Sequence, residues 1–350
     1  TMYEMLFDEW YATGFGAVLK ALGNNDLTWE KTDKFDFGVE MMLFDKRLTV
    51  EADYYYEKTI DLVNDVSLST TSGFSTYKNN MGKVLNKGFE LQMRADVFRN
   101  RDWLVALWGN IAHNKNKILK LADLPWFVDG RYVRKEGYPF NTIYLREYAG
   151  VDPETGSALY YDNQQDENGN YTKNKVTDPG QASPIPLKDI TPTISGGFMN
   201  TFNYKFIDLS FNLSYSFGGY SYDNASYILQ DDGYSVISNK STEQRRRWQK
   251  PGDITDVPRF VYGNKKGGNY NSSRAIHSTD HIRLKSLILG LNAPKAWLQK
   301  LGIGNARIYF SGTNLLTWAA YDQYDPEMSG VVGFYTPPLK TYAFGLELKF

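Results

Sequence analysis

Three histidines, His113, His277 and His281, are the only side chains here that ordinarily titrate near neutrality, and no cysteine accompanies them. They are scattered and lack the spacing of a metal site, so they read as polar surface groups, His113 at a strand end and the other two in a loop. Asp162, Asp166, Glu167, Asn168 and Asn170 surround Gly169 in the nearest approach to a calcium loop. The bidentate Glu that such a loop needs at its twelfth position is missing. A turn between the segments YYDNQQ and NYTKNK fits better. Asp and Glu total 40, so a pair of carboxylates alone singles out no acid–base couple. No G-x-S-x-G, H-E-x-x-H or phosphate-loop pattern occurs, and Ser311-Gly312-Thr313 and Gly196-Gly197 read as strand or turn. The expectation is a protein that is not an enzyme and needs no metal or cofactor.

Net charge is −1, which gives no basis for binding nucleic acid. The run Arg245-Arg246-Arg247, followed by Pro251-Gly252-Asp253, reads as a solvated loop. The chemistry that stands out is aromatic: 26 Tyr, 20 Phe and 8 Trp in 350 residues, at a mean hydropathy of −0.48. Trp10, Tyr11, Trp126, Phe127, Tyr132, Tyr138, Phe140 and Tyr144 fall between regular segments. Flat faces with polar tips can stack on sugar rings, grip a partner protein, or pack one loop on another. Trp10, Tyr11, Trp126, Tyr132, Tyr138 and Tyr144 are the candidate substrate- or partner-contacting residues.

The elements that must carry these loops are strands. Leu48, Val50, Ala52, Tyr54 and Tyr56 alternate with more polar residues. So do Phe89, Leu91, Met93, Ala95 and Val97, then Ile207 through Phe217 at every second position, then Tyr342, Phe344, Leu346, Leu348 and Phe350. Each run is a two-faced strand of about ten residues, the length that crosses a bilayer when tilted and roughly twice the globular average. Segments 34–44, 103–113, 193–204, 281–292 and 305–316 complete a set of nine. In 281–292 the apolar face switches after Leu284, which predicts a bulge near Lys285–Ser286. No apolar run of the roughly 18 residues needed for a membrane helix is present.

Connector lengths alternate strictly. Asp45-Lys46, 99–102, Lys205 and 293–304 are short or moderate, the last with a short helix over AWLQKLG; 58–86, 114–192, 218–280 and 317–339 are long. Short periplasmic turns alternating with long extracellular loops define an outer-membrane β-barrel. That pattern predicts an all-β, transmembrane antiparallel barrel segment, with 34–350 as strands and loops and 1–33 as part of an extracellular loop. TMYEMLFDEW lacks the basic and apolar regions of a signal peptide, and nine strands leave two open edges, so the expected whole includes an N-terminal portion outside this sequence. The terminal aromatic Phe350, on one face with Tyr342, Phe344, Leu346 and Leu348, resembles the signal read by the outer-membrane assembly machinery.

Several segments resemble the C-terminal half of SusC-like transporters, the TonB-dependent receptors of Bacteroidota. They are NNDLTWEKTDKFDFGVEMMLFDKRLTVEADYYYEKTI at 24–60, MGKVLNKGFEL at 81–91, HIRLKSLILGLNAPKAWLQKLGIGNARIYFSGTNLLTW at 281–318, Tyr324-Asp325-Pro326-Glu327, and the closing LKTYAFGLELKF. The resemblance implies the last strands of a barrel of about 22 strands with a plugged lumen. It further implies import of oligosaccharides or peptides across the outer membrane. The implied partners are a SusD-like surface lipoprotein, TonB acting through the absent N-terminal plug portion, and outer-membrane lipid. The alternatives are a siderophore or cobalamin receptor of the same class, and a secreted carbohydrate-binding or carbohydrate-active β-protein.

Overall fold

A computed structural model describes residues 2–11, 14–80, 82–121, 124–264, 271–299 and 302–350; for 2–11, 14–20, Ser67, Thr70 and Lys295 it describes the backbone alone. Nine strands form one sheet: β1 (Lys31–Leu43), β2 (Leu48–Ile60), β3 (Gly82–Arg99), β4 (Trp103–Leu121), β5 (Ile194–Tyr204), β6 (Ile207–Phe217), β7 (His281–Asn292), β8 (Asn305–Ala319) and β9 (Thr341–Lys349). Each strand lies beside its neighbours in sequence, so the order is a plain meander with β1 and β9 at opposite edges. These are the nine predicted segments. Among the described residues the two edge strands do not pair with each other, and Met2–Tyr11 pairs with Gly14–Ala21, outside this sheet.

The register sorts the side chains into two faces. Val105, Phe202, Leu209, Leu289, Phe310 and Phe344 are direct cross-strand partners in one row over six strands. A second row on that face runs Trp103, Tyr204, Ile207, Leu291, Ile308 and Leu346. Phe344 is 81% exposed, and Ile308, Leu291, Phe37 and Val97 are exposed as well. In water such a band would be very costly, at about 25 cal/mol per Å² of apolar surface; against lipid it costs nothing. The other face carries Asp208, Ser210, Asn212, Ser214, Arg283 and Thr317.

One end of the sheet is closed by tight turns. Phe44, Asp45 and Lys46 have φ of 55°, 55° and 64°, and Lys205 has φ 50°, left-handed conformations that bring the strands back within four and two residues. Between β3 and β4, the Asn100 side chain accepts from Asp102 N at 2.9 Å and Trp103 N at 2.8 Å, an Asx turn. The helix expected in the fourth short connector occupies Lys295–Leu298. The predicted bulge is present: register slips between Leu284 and Ser286, leaving Lys285 as the extra residue.

The other end carries the long connectors, and the chain divides there into two compact units. All nine strands contribute to the unit made of Gly38–Asp53, Phe89–Asn114 and Thr142–Phe350. The other unit, Thr1–Phe37, Tyr54–Gly88 and Lys115–Asn141, holds the continuations of β1 to β4 and the hairpins Met2–Tyr11 with Gly14–Ala21, Val63–Ser67 with Thr76–Asn80 and Trp126–Asp129 with Tyr132–Lys135. Its core is Val84, Ile118 and Leu121, packed by Leu62, Val66, Phe127 and Phe140. Gly82 is required there: its φ is +114°, and a Cβ would lie 2.1 Å from the Lys120 carbonyl oxygen.

The acidic segment near Gly169 is a turn, as its spacing predicts. Asp166 accepts from Asn168 N and Asn170 N, Gly169 has φ 79°, and Gln165 bridges Tyr171. Arg246 is exposed and pairs with Glu243 and Asp256, the solvated loop expected of the arginine run. The reading of His277 and His281 as surface loop residues is corrected. His277 lies in the strand Ile276–Ser278, and His281 begins β7, where it is 5% exposed with Nδ1 2.8 Å from the Thr279 carbonyl.

Candidate functional site

On the polar face, at the long-connector end, β7 and β8 present a charged cluster. Arg283 Nη2 donates to Asp325 Oδ1 at 2.7 Å and Nη1 to Glu327 Oε2 at 2.8 Å, while Lys285 reaches Glu327 at 2.5 Å. Two basic residues on one strand thus hold the segment 324–327 against the sheet. Arg283 and Lys285 stand two positions apart on β7 and so share its polar face, with Lys285 the residue at the bulge.

The same segment is tied to the connector between β6 and β7. Tyr324 Oη meets Ser221 Oγ, and Tyr321 Oη donates to Asp223 Oδ2 at 2.9 Å. Asp223 also caps the helix Asn224–Leu229 through Ser226 N at 2.9 Å. His277 stacks on Tyr321 with ring centres 3.7 Å apart and planes 4° from parallel. Gly330–Val332 pairs in parallel with Tyr220–Asp223. Burial pushes the Tyr321 and Tyr324 phenols up and His277 down from their ordinary values. Beneath these contacts lies a cavity of about 540 Å³ lined by Asp223, Arg283, Thr317, Tyr324, Phe334 and Tyr335 among others.

Deeper in the connector 218–280, Asp232 is fully buried and receives Arg274 Nη1 at 2.5 Å and Gln244 Nε2 at 2.9 Å. Tyr148 and Tyr160 meet edge to face beside it, and burial raises both phenols. Periodicity contains no trace of this network, since its members lie in irregular segments far apart in sequence. Near the short-turn end of the polar face, Asp208 receives Arg307 Nη2 at 2.6 Å and Asn292 Nδ2 at 2.7 Å. Glu51, Gln92, Arg94, Trp108, Met199 and Thr201 line a groove of about 470 Å³ on that face.

The predicted aromatic contacts are placed as follows. The side chains of Trp10 and Tyr11 lie outside the described residues. In the first unit, Trp126 is exposed and opposes Lys135 across a hairpin. Tyr132, half-buried, has the Arg134 guanidinium 5.5 Å from its ring centre, and Lys135 Nζ sits 5.1 Å over Tyr138. In the second unit, Tyr144 is half-buried in Thr142–Leu145, and burial raises its phenol. Trp126 and Tyr132 therefore stand at opposite ends of one hairpin and Tyr138 just beyond it, with a cation beside the Tyr132 and Tyr138 rings. Tyr342, Phe344, Leu346, Leu348 and Phe350 are all exposed; β9 carries the first four on its apolar face and Phe350 follows its last residue.

Long strands in a sequential meander, an exposed apolar band, a polar opposite face, and tight turns at one end define an outer-membrane β-barrel wall. The family model described as TonB dependent receptor-like, beta-barrel matches residues 2–177, and the chain belongs to that family. It is similar to TonB-dependent receptor P3 of Formosa agariphila, 31% identical over 96% of this chain and 36% of that protein. It is also similar to TonB-dependent receptor SusC of Bacteroides thetaiotaomicron, 27% identical over 93% of this chain and 32% of that one. Among solved structures, the RagAB peptide transporter superposes with a TM-score of 0.87 at 29% identity, covering 100% of this chain and 38% of that chain. The chain thus spans about a third of the length of the curated relatives it matches. Its place is the outer membrane, and its likeness to SusC is the family resemblance read in the sequence.

Proposed function

We propose that this segment forms part of the wall and extracellular loops of a TonB-dependent importer of oligosaccharides or peptides. The observation that carries the reading is similarity along the whole chain to a protein described as a peptide transporter and, nearly as fully, to SusC. The polar face and its cavity of about 540 Å³ support it, since solute passing along the wall would meet Arg283, Tyr324 and Tyr335. A SusD-like lipoprotein is the partner on the outside, and the aromatic hairpin around Trp126, Tyr132 and Tyr138 is the surface it or the substrate would meet. TonB acts through a plug portion outside these residues. Relatives named as receptors and transporters support a role without catalysis.

Uptake tests the reading. A strain lacking the full receptor gene is supplied with fluorescent oligopeptides and oligosaccharides, with and without an active TonB system. TonB-dependent loss of uptake of one class, restored by the intact gene, is the expected result. Undiminished uptake of both classes overturns it. An apolar band this exposed disfavours a secreted carbohydrate-binding protein, which would have to keep it in water.

A further inference from the structure

In the first unit the strands β1 to β4 continue beyond the aromatic residues of the apolar face. The covered face of β3 and β4 is fixed by two observations: Val84 and Ile118 pack in the loop core, and Asn116 Nδ2 donates to Asn86 Oδ1 at 2.7 Å. Alternation therefore turns Lys83 and Lys87 of β3, and Lys115 and Lys117 of β4, to the opposite, outward face. The Asn86–Asn116 contact sets Lys87 beside Lys115, and both are exposed. On β1 and β2, Lys34 pairs with Glu57 at 3.0 Å and Thr32 meets Thr59 at 3.3 Å on the polar face. That leaves Lys31, Asp33, Phe35 and Tyr56, Lys58, Ile60 pointing outward.

The outward surface thus changes character within two residues. Phe35, Phe37, Tyr54 and Tyr56 form an exposed aromatic girdle. Immediately beyond it, towards the long connectors, stand six lysines, of which 31, 87, 115 and 117 are exposed and 58 and 83 half-buried, with the buried Leu85 between 83 and 87. Two carboxylates accompany them, Asp33 by alternation and Asp61 beside Lys31. Lys31 comes within 4.0 Å of Asp61, whereas the other five have no ion pair among the described residues. Like charges side by side on paired strands are destabilising unless an anion lies between them. Lysine stems can also lie along apolar surface while their ammonium groups reach a polar layer.

We propose that this patch binds the phosphorylated headgroup of an acylated glycolipid in the outer leaflet, with its acyl chains lying along the aromatic girdle. The long-connector end faces outside in a barrel of this kind, so the lysines sit at the outer headgroup level. Each basic residue near a charged membrane surface contributes about 1 kcal/mol, so a cluster of five or six holds an anionic headgroup where one would not. Continuity of the charged patch with the aromatic girdle of the same unit favours a lipid over a soluble anion.

The proposal rests on the outer-membrane reading, and its test separates the two. The full-length receptor is inserted into nanodiscs containing bisphosphorylated lipid A, the same lipid A with its phosphates removed, or neutral lipid alone. Retained glycolipid is counted by native mass spectrometry, and heat-modifiable mobility reports a folded barrel. Bisphosphorylated lipid A should be retained, dephosphorylated lipid A should not, and millimolar inorganic phosphate should fail to displace it. Lys87→Gln with Lys115→Gln should weaken retention roughly 30-fold, the equivalent of about 2 kcal/mol for two charges. Lys46→Gln, at the opposite end, should leave it unchanged. Equal retention with and without lipid phosphates, by the double variant, or lost to free phosphate overturns the proposal. If that happens in a receptor that inserts and is heat-modifiable, the barrel reading stands. Should the double variant fail to fold, Lys117→Gln alone, expected to weaken retention roughly fivefold, decides by the same comparison.

Discussion

Arg283 and Asp325, 42 residues apart, form a buried ion pair at 2.7 Å, each side chain 5% exposed, that fastens an extracellular connector to the polar face of the wall. Breaking a buried pair by removing one partner leaves an uncompensated charge and costs about 3–5 kcal/mol. Arg283→Met should therefore free the segment 321–328 and raise its sensitivity to protease on intact cells. Arg283→Met combined with Asp325→Leu and Glu327→Gln should recover part of that loss, because no buried charge remains stranded and Lys285, which loses Glu327, reaches solvent. Equal protease resistance in the single variant and the parent would show that the pair does not hold the connector.

Across the sheet the two faces should differ in tolerance. Leu213 lies between Phe198 and Leu284 on the apolar face, and Asn212 lies between Met199 and Ser286 on the other. Leu213→Arg should destabilise folding into vesicles by about 2–4 kcal/mol, with little effect from Asn212→Arg. Equal tolerance at both positions would mean that neither face meets lipid.

The stack of His277 on Tyr321 makes the loop cluster sensitive to pH. Burial holds His277 below its ordinary value, and the nearby Asp223 carboxylate only partly opposes this. Burial against Tyr321 favours the neutral ring, so the unfolded connector binds a proton more readily. The stability this contributes is fully present above about pH 6.5 and is lost as pH falls through the lower, folded value. Hydrogen-exchange protection of 276–278 and 321–324 should drop between pH 7.5 and 5, and the drop should shrink in His277→Gln. A drop of the same size in His277→Gln would assign it elsewhere.

Phe350 is 88% exposed next to a strand whose apolar face is exposed throughout. We expect Phe350→Ser to lower the amount of heat-modifiable receptor in the outer membrane while leaving synthesis unchanged, measured by fractionation. Unaltered abundance would remove Phe350 from any assembly signal.

The wall was legible in the sequence because lipid imposes a strict rule: every second residue of each strand must be apolar over about ten residues. The rule exposed even the bulge at Lys285, where the apolar face switches after Leu284. It stopped at the membrane's edge. β3 and β4 run 18 and 19 residues, but beyond Phe89 and His113 lysines and leucines mix on the outward positions and the alternation of hydropathy disappears. The loop site was legible only in part. Tyr324-Asp325-Pro326-Glu327 was noticed as a resemblance, whereas its partners Arg283, Lys285 and Ser221 are set by tertiary contact that no local period encodes. His281 was misplaced for the same reason: its burial depends on Thr279 and the register of β7, not on its neighbours' hydropathy.

Sidedness is the central claim, and cysteine labelling on living cells reaches it most directly. Glu167 is exposed at the turn beyond Asp166, in the connector between β4 and β5, and Asn100 is exposed in the tight turn between β3 and β4. These 350 residues hold no cysteine, and in a receptor freed of any other, Glu167→Cys should react with a membrane-impermeant maleimide on intact cells. Asn100→Cys should react only after the outer membrane is permeabilised. Labelling of Asn100→Cys but not Glu167→Cys on intact cells, or of both equally, would contradict a wall with its long connectors outside and its tight turns in the periplasm.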